Sequence, residues 1–249
     1  MASTAFLQQA YLAYFGRPAD PSGLAYYSEK TEAQVKAAFS ASPESQAFFG
    51  SLEINAQINT IYQNLFNRDA EPAGLAYWSK EIGAGRLSLA DAAMGILAGA
   101  QNADKTAVAN KLAASAAFTA ALDTTAEILG YAGAASIAPA RAYLQAVDSS
   151  AASLTAATAG VDASIAGVVA AGAVSQGQTF VLTTGVDGGA AFTGTAKNDI
   201  FNAALVNSVN SLNSLDSLTG GAGSDTLNVE LASSVTPAGI AGIEIINTT

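Results

Sequence analysis

The chain is 249 residues long, half of them apolar, with 10 basic against 20 acidic side chains and a formal net charge of −10. That length allows two modest domains, and that acidity makes a phosphate backbone a poor partner, so no nucleic-acid ligand is expected. There is no Cys and no His, which excludes Cys–His and Ser–His–Asp catalysis and a zinc site built on those side chains.

The first ten residues carry no basic segment and no long apolar run, so they do not read as a secretory signal peptide. An exported chain of this kind would need its signal elsewhere. No uninterrupted apolar run is long enough to predict a transmembrane segment; the Ala/Gly/Val stretch near 163–174 is too short and too weakly hydrophobic.

An internal duplication dominates the first third. Tyr11-Leu-Ala-Tyr-Phe15-Gly-Arg17-Pro-Ala-Asp20-Pro21-Ser-Gly23-Leu24-Ala-Tyr26-Tyr27 aligns without gaps on Tyr62-Gln-Asn-Leu-Phe66-Asn-Arg68-Asp-Ala-Glu71-Pro72-Ala-Gly74-Leu75-Ala-Tyr77-Trp78, at an offset of 51 residues. Each copy reads as helix, short acid-Pro turn, helix. Ile54, Ile58, Ile61, Leu65 and Phe66 follow the 3.6-residue period, and Asp20-Pro21 and Glu71-Pro72 place an acid and a proline where a helix starts. Two readings of the repeated residues stand side by side. Arg and acid can pair across the turn while the aromatics pack two helices together. Alternatively, Tyr27 and Trp78 offer flat faces to sugar rings, with Arg17 and Arg68 taking hydroxyls.

Further helix starts are legible at Ser42-Pro43-Glu44 and at Ser88-Leu-Ala-Asp91, a capping box with Asp in place of Glu. From 104 to about 172 the chain is Ala-rich, and helices are expected over about 104–121, 123–130 and 139–157, with a further one over 161–172. From Gln178 the composition turns to Thr, Val, Asn, Gly and Ser. Short strands are expected at Thr179–Thr183, Asp199–Phe201, Asp216–Leu218, Asp225–Val229 and Ile243–Asn247. The fold class is therefore α+β with the two parts segregated: an Ala-rich all-α domain over 1–175, then the start of a parallel β-roll over 176–249, which we expect to continue in a longer parent.

Gly220-Gly221-Ala-Gly223-Ser-Asp225-Thr-Leu227-Asn matches the nonapeptide G-G-x-G-x-D-x-U-x at every position, and that repeat builds calcium-binding β-rolls. Glycines permit the positive φ of a tight turn. Their carbonyls and the Asp225 carboxylate are hard oxygen ligands of the kind Ca²⁺ takes. Gly194-Thr-Ala-Lys-Asn198-Asp199 is a degenerate copy. Asp216 and Asp225 lie nine residues apart, one repeat. Alternate turns of a roll share a side, so Gly194–Asp199 should face Gly220–Asp225 with Asp216 on the opposite edge. Ordinary metal-free Gly/Asn/Asp turns would use the same residues, and that reading stays open.

The duplicated aromatic motif resembles a helical domain family, of unknown function, found at the ends of secreted bacterial repeat proteins. The segments Gly194–Phe201, Leu218–Val229 and Ile240–Asn247 resemble the junction at which the N-terminal domain of Caulobacter-type S-layer proteins enters its β-rich lattice-forming part. That resemblance implies an extracellular, cell-surface location and type I secretion through a C-terminal signal. It also implies anchoring to the O-antigen polysaccharide of lipopolysaccharide, and calcium-dependent association with other copies in a surface lattice. A structural self-association module of a secreted, RTX-like calcium-repeat adhesin is the alternative. Neither H-E-x-x-H nor G-x-S-x-G occurs, so no enzyme is expected.

Overall fold

Most helices begin where a short polar side chain can accept one of the unpaired N–H groups of the first turn. In the computed structural model, which describes residues 1–131 and 134–248, Ser3 caps α1 (Thr4–Ala10), Asp20 caps α2 (Pro21–Ser28) and Ser42 caps α4 (Pro43–Phe49). Reciprocal capping boxes open α3 (Glu32–Ala41, Thr31 with Gln34) and α7 (Leu89–Ala98, Ser88 with Asp91). Between them run α5 (Ile54–Phe66) and α6 (Pro72–Gly83), followed by α8 (Asn102–Ala121), α9 (Thr125–Gly130), α10 (Ala134–Gln145), α11 (Ala151–Ala159) and α12 (Val161–Ser175). The chain divides into two compact units, Met1–Gly172 and Ala173–Thr249.

The duplication is an architectural repeat. Helix α1 with the π-helical turn Tyr11–Phe15 corresponds to α5, and α2 to α6. The first helix of each copy ends in a left-handed residue, Gly16 at φ +66° and Asn67 at φ +56°. The repeated glycine has a steric cause. A Cβ on Gly74 would lie 2.8 Å from the Tyr62 hydroxyl oxygen, and Gly23 meets the Tyr11 hydroxyl in the same way.

Leu7, Leu12, Phe39, Ile58, Ile61, Leu65, Phe118, Leu144 and Ile165 form the core of this unit. Within it Lys111 is fully buried, its ammonium donating to the Asn64 carbonyl at 2.7 Å and to Asn67 Oδ1 at 2.6 Å. The single helix expected over 139–157 is two helices. Ser150 accepts the Ser153 N–H and the Asp148 N–H donates to the Ser153 hydroxyl, so α11 starts afresh; α10 instead extends N-terminally through Pro139. No single helix among the described residues is long and apolar enough to cross a membrane.

The second unit is a parallel β-solenoid of about three turns. One sheet has the order β1 (Gln176–Val181), β2 (Asn198–Ala203), β4 (Thr226–Val229), β6 (Ile245–Thr248); the other pairs β3 (Ser217–Thr219) with β5 (Gly239–Ala241). Period-2 alternation sends one set of side chains inward. Phe180, Phe201, Leu227 and Ile246 stand in register across the first sheet, with the Phe180 and Phe201 rings stacked at 4.5 Å. The outward residues one position later form an amide ladder, in which Asn228 donates to Asn202 and Asn247 to Asn228, each at 2.8 Å. A one-residue slip would break that ladder and turn the apolar column outward, so the register is fixed from both faces. Strand β5 was not expected from the sequence; it is three residues long and contains one large apolar side chain, Ile240.

Candidate functional site

Two places collect the residues singled out in the sequence. The first is formed by the turns of the solenoid. Asp199, Asp225 and Glu244 occupy equivalent positions in three stacked turns at one edge, and Asp187 and Asp216 do so at the opposite edge. Asp187, Asp199, Asp216 and Asp225 are all buried.

Four of these five carboxylates accept a backbone N–H from the preceding turn. Asp199 accepts the Gln178 N–H, Asp225 the Asp199 N–H at 2.7 Å, and Glu244 the Asp225 N–H at 2.8 Å. At the other edge Asp216 accepts the Asp187 N–H at 2.8 Å. The second oxygen mostly holds the residue's own turn: Thr195 N–H to Asp199 at 2.6 Å, Asn213 N–H to Asp216 at 2.8 Å and Thr183 N–H to Asp187 at 2.7 Å. These contacts satisfy donors that a buried turn would otherwise leave unpaired. Asn198 also spans two turns, its side-chain oxygen accepting the Ser224 N–H at 2.9 Å.

The glycines make this stacking possible. Gly221 and Gly223 have φ of +112° and +120°, and a Cβ on Gly223 would lie 2.6 Å from the Lys197 carbonyl oxygen. The Gly220 carbonyl packs where a side chain on Gly194 would stand, and the Gly242 carbonyl does the same to Gly220.

Calcium fits unevenly among these turns. The oxygens of Asp199, Asp216 and Asn198 are engaged by N–H donors. Oδ2 of Asp225 is buried and has no hydrogen-bond partner. Desolvation raises the Asp225 carboxyl above the usual aspartate range; the Asp199 N–H opposes the rise, and the neighbouring Asp199 and Glu244 charges add to it. A hard cation would relieve that position. Among the described residues no group of three or more acidic side chains converges to hold a metal, so a shell at Asp225 would draw on Glu244, the glycine carbonyls of the turn and water.

The second place is the duplicated aromatic motif, whose two copies differ. In the first copy Arg17 is buried, with Nε and Nη2 donating to Glu44 at 2.8 and 2.7 Å and Nη1 to the Tyr131 hydroxyl at 3.4 Å. Burial disfavours the charged guanidinium, but the Glu44 pairing more than offsets this and its pKa lies above the ordinary value. Tyr27 packs edge-on against Phe39 at 5.2 Å, and Phe39 also fills the space beside Tyr11 and Phe15. In this copy Arg17 is buried and engaged with its partners, while Tyr27 is half-buried against Phe39.

The second copy is open. Counting eight residues from the caps Thr31 and Ser88 puts Ile96 where the first copy has Phe39, and the smaller side chain leaves a groove of about 280 Å³. Tyr62, Phe66, Arg68, Glu71, Trp78, Gln101 and Asp104 line it, with the backbone of Gly99 and Ala100. Arg68 lies over the Tyr62 and Phe66 rings at 5.5 and 5.4 Å and is held by Asp104 at 2.6 Å and Glu71 at 2.6 Å. Trp78 reaches across to Gly95, where a Cβ would come 2.7 Å from its ring. The structure thus brings Arg68 and Trp78 to one groove and separates them from Arg17 and Tyr27.

Asp104, Gln101, Gly95, Glu244 and Asp187 were not found from the sequence. Gly95, inside a helical pattern, signals close approach. Thr183-x-x-x-Asp187 repeats the order of Thr195-x-x-x-Asp199. Residues 36–106, which include the second copy and every residue lining its groove, match a family described as a domain of unknown function (DUF4214). No curated protein matches the chain.

Proposed function

We propose that this chain is the glycan-anchoring module of a bacterial cell-surface protein. In this reading it is the N-terminal part of an S-layer protein that holds a calcium-dependent lattice to the O-antigen of lipopolysaccharide. The observation that carries the proposal is the groove of the second repeat, where Trp78 and the charged groups Arg68, Glu71 and Asp104 surround a space of about 280 Å³. Indole faces suit the C–H faces of pyranoses, and the charged groups suit their hydroxyls. Each site can be weak, because many copies in a lattice bind together. The solenoid, braced at Asp225 by Ca²⁺, links the anchor to the rest of an exported protein, and no catalytic role is assigned. The test is binding to purified smooth lipopolysaccharide against rough lipopolysaccharide lacking O-antigen; equal binding to both would reject the reading.

A second reading is supported by the parallel solenoid with its stacked acidic turns, a fold compatible with RTX-like repeats. On that reading the chain is a self-association module of an RTX-like adhesin, and it would form calcium-dependent oligomers in sedimentation velocity without any glycan.

A further inference from the structure

The groove of the second repeat has more carboxylates than cations. Arg68 is the sole cationic side chain among its lining residues, against Glu71 and Asp104. Four of its five N–H donors are engaged: Nε and Nη2 go to Asp104 at 3.3 and 2.6 Å, and Nη1 lies 2.6 Å from Glu71 and donates to the Asp69 carbonyl at 3.0 Å. The carboxylates keep free lone pairs, and Glu71 is more than half exposed, with its side chain at 59%. The lining therefore carries one positive and two negative charges beside the chain's one tryptophan.

From this arrangement, and resting on the glycan reading above, we infer that the groove selects saccharides bearing a free amino group over N-acetylated or acidic ones. An ammonium supplies three donors and a positive charge to the Glu71 and Asp104 carboxylates, and it gains further from the face of an indole. A uronic acid or a phosphorylated sugar would bring a third negative charge next to two carboxylates that already share the one guanidinium. N-acetylation removes the charge and leaves a single N–H.

The test follows the emission of Trp78 during titration with chito-oligosaccharides of glucosamine, the same oligomers fully N-acetylated, and oligogalacturonate, at a pH where the amine is protonated. The glucosamine oligomer is expected to bind at least about tenfold more tightly than the acetylated one, a difference near 1.4 kcal/mol. That preference should shrink severalfold in Glu71→Gln and with added salt. Equal affinity for the amine and acetylated forms, or tighter binding of galacturonate, would overturn the inference. Binding of smooth lipopolysaccharide at Trp78 without any amine preference would overturn it while leaving the anchoring proposal standing. Silence of Trp78 to every saccharide, smooth lipopolysaccharide included, would overturn both.

Discussion

Replacing Asp199 by Ala should unfasten the solenoid at its first stacked turn. The carboxylate is fully buried and accepts the Gln178 N–H, the Thr195 N–H and the Thr195 hydroxyl. Alanine leaves two backbone donors without acceptors, and each orphaned donor costs about 1–3 kcal/mol. Water entering the vacated space would recover part of this, so a loss of about 3 kcal/mol is expected. With a urea slope of about 1.5 kcal/mol/M for a unit of this size, the unfolding midpoint should fall by about 2 M. Hydrogen exchange read by mass spectrometry over residues 176–248 isolates the solenoid. Protection at Gln178 and Thr195 should vanish first, while Trp78 emission reports that the helical unit is unaffected. Asp199→Asn retains one acceptor oxygen and should lose roughly half as much. A midpoint and protection pattern unchanged in Asp199→Ala would refute the claim that these carboxylates hold the turns together.

Burial lowers the Lys111 pKa to about 8. Below that pH both folded and unfolded chains carry the charge; between about 8 and the ordinary value of 10.5 the folded chain releases its proton first. Stability should therefore rise with pH across that window, by up to about 3 kcal/mol, and Lys111→Met should flatten the rise in urea titrations at pH 7 and pH 10. Gly95→Ala should push the Trp78 ring into the groove, costing about 1–3 kcal/mol and shifting the indole emission; an unshifted spectrum would contradict the close packing of Trp78 on α7. Asp225 carries a carboxyl whose pKa is raised in the fold, so without calcium its contribution is most favourable at low pH and weakens as pH rises past the ordinary carboxylate range. Asp225→Asn should remove that weakening and also abolish any calcium-induced gain in solenoid melting temperature; a gain that survives would place the ion elsewhere.

Much of this fold is written locally. The duplicated Tyr…Gly spacing follows from a hydroxyl packing on a glycine twelve residues later in both copies. Ser42-Pro43 and Ser88-x-x-Asp91 announce their helices through capping chemistry alone. Gly220–Asp225 gives the turn conformation because its positive φ angles need glycine. What was not legible depends on partners distant in sequence. The first copy buries its arginine while the second lines a groove with its own, and the residues packed beside each, Phe39 and Ile96, lie outside the motif itself. Asp104 reaches Arg68 from 36 residues away. Glu244 was missed because the turns it stacks on are unequally spaced, 26 residues from Asp199 to Asp225 and then 19 to Glu244, so no strict period points to it. The break at 146–150 was hidden by an Ala-rich context in which helix propensity is high on both sides.

The most direct test of the account is calorimetric titration of smooth O-antigen polysaccharide into the intact chain and into Trp78→Ala. The account predicts binding by the first, loss of at least about tenfold in affinity by the second, and no binding of rough lipopolysaccharide by either. Undiminished binding by Trp78→Ala, or equal heats from smooth and rough material, would contradict it.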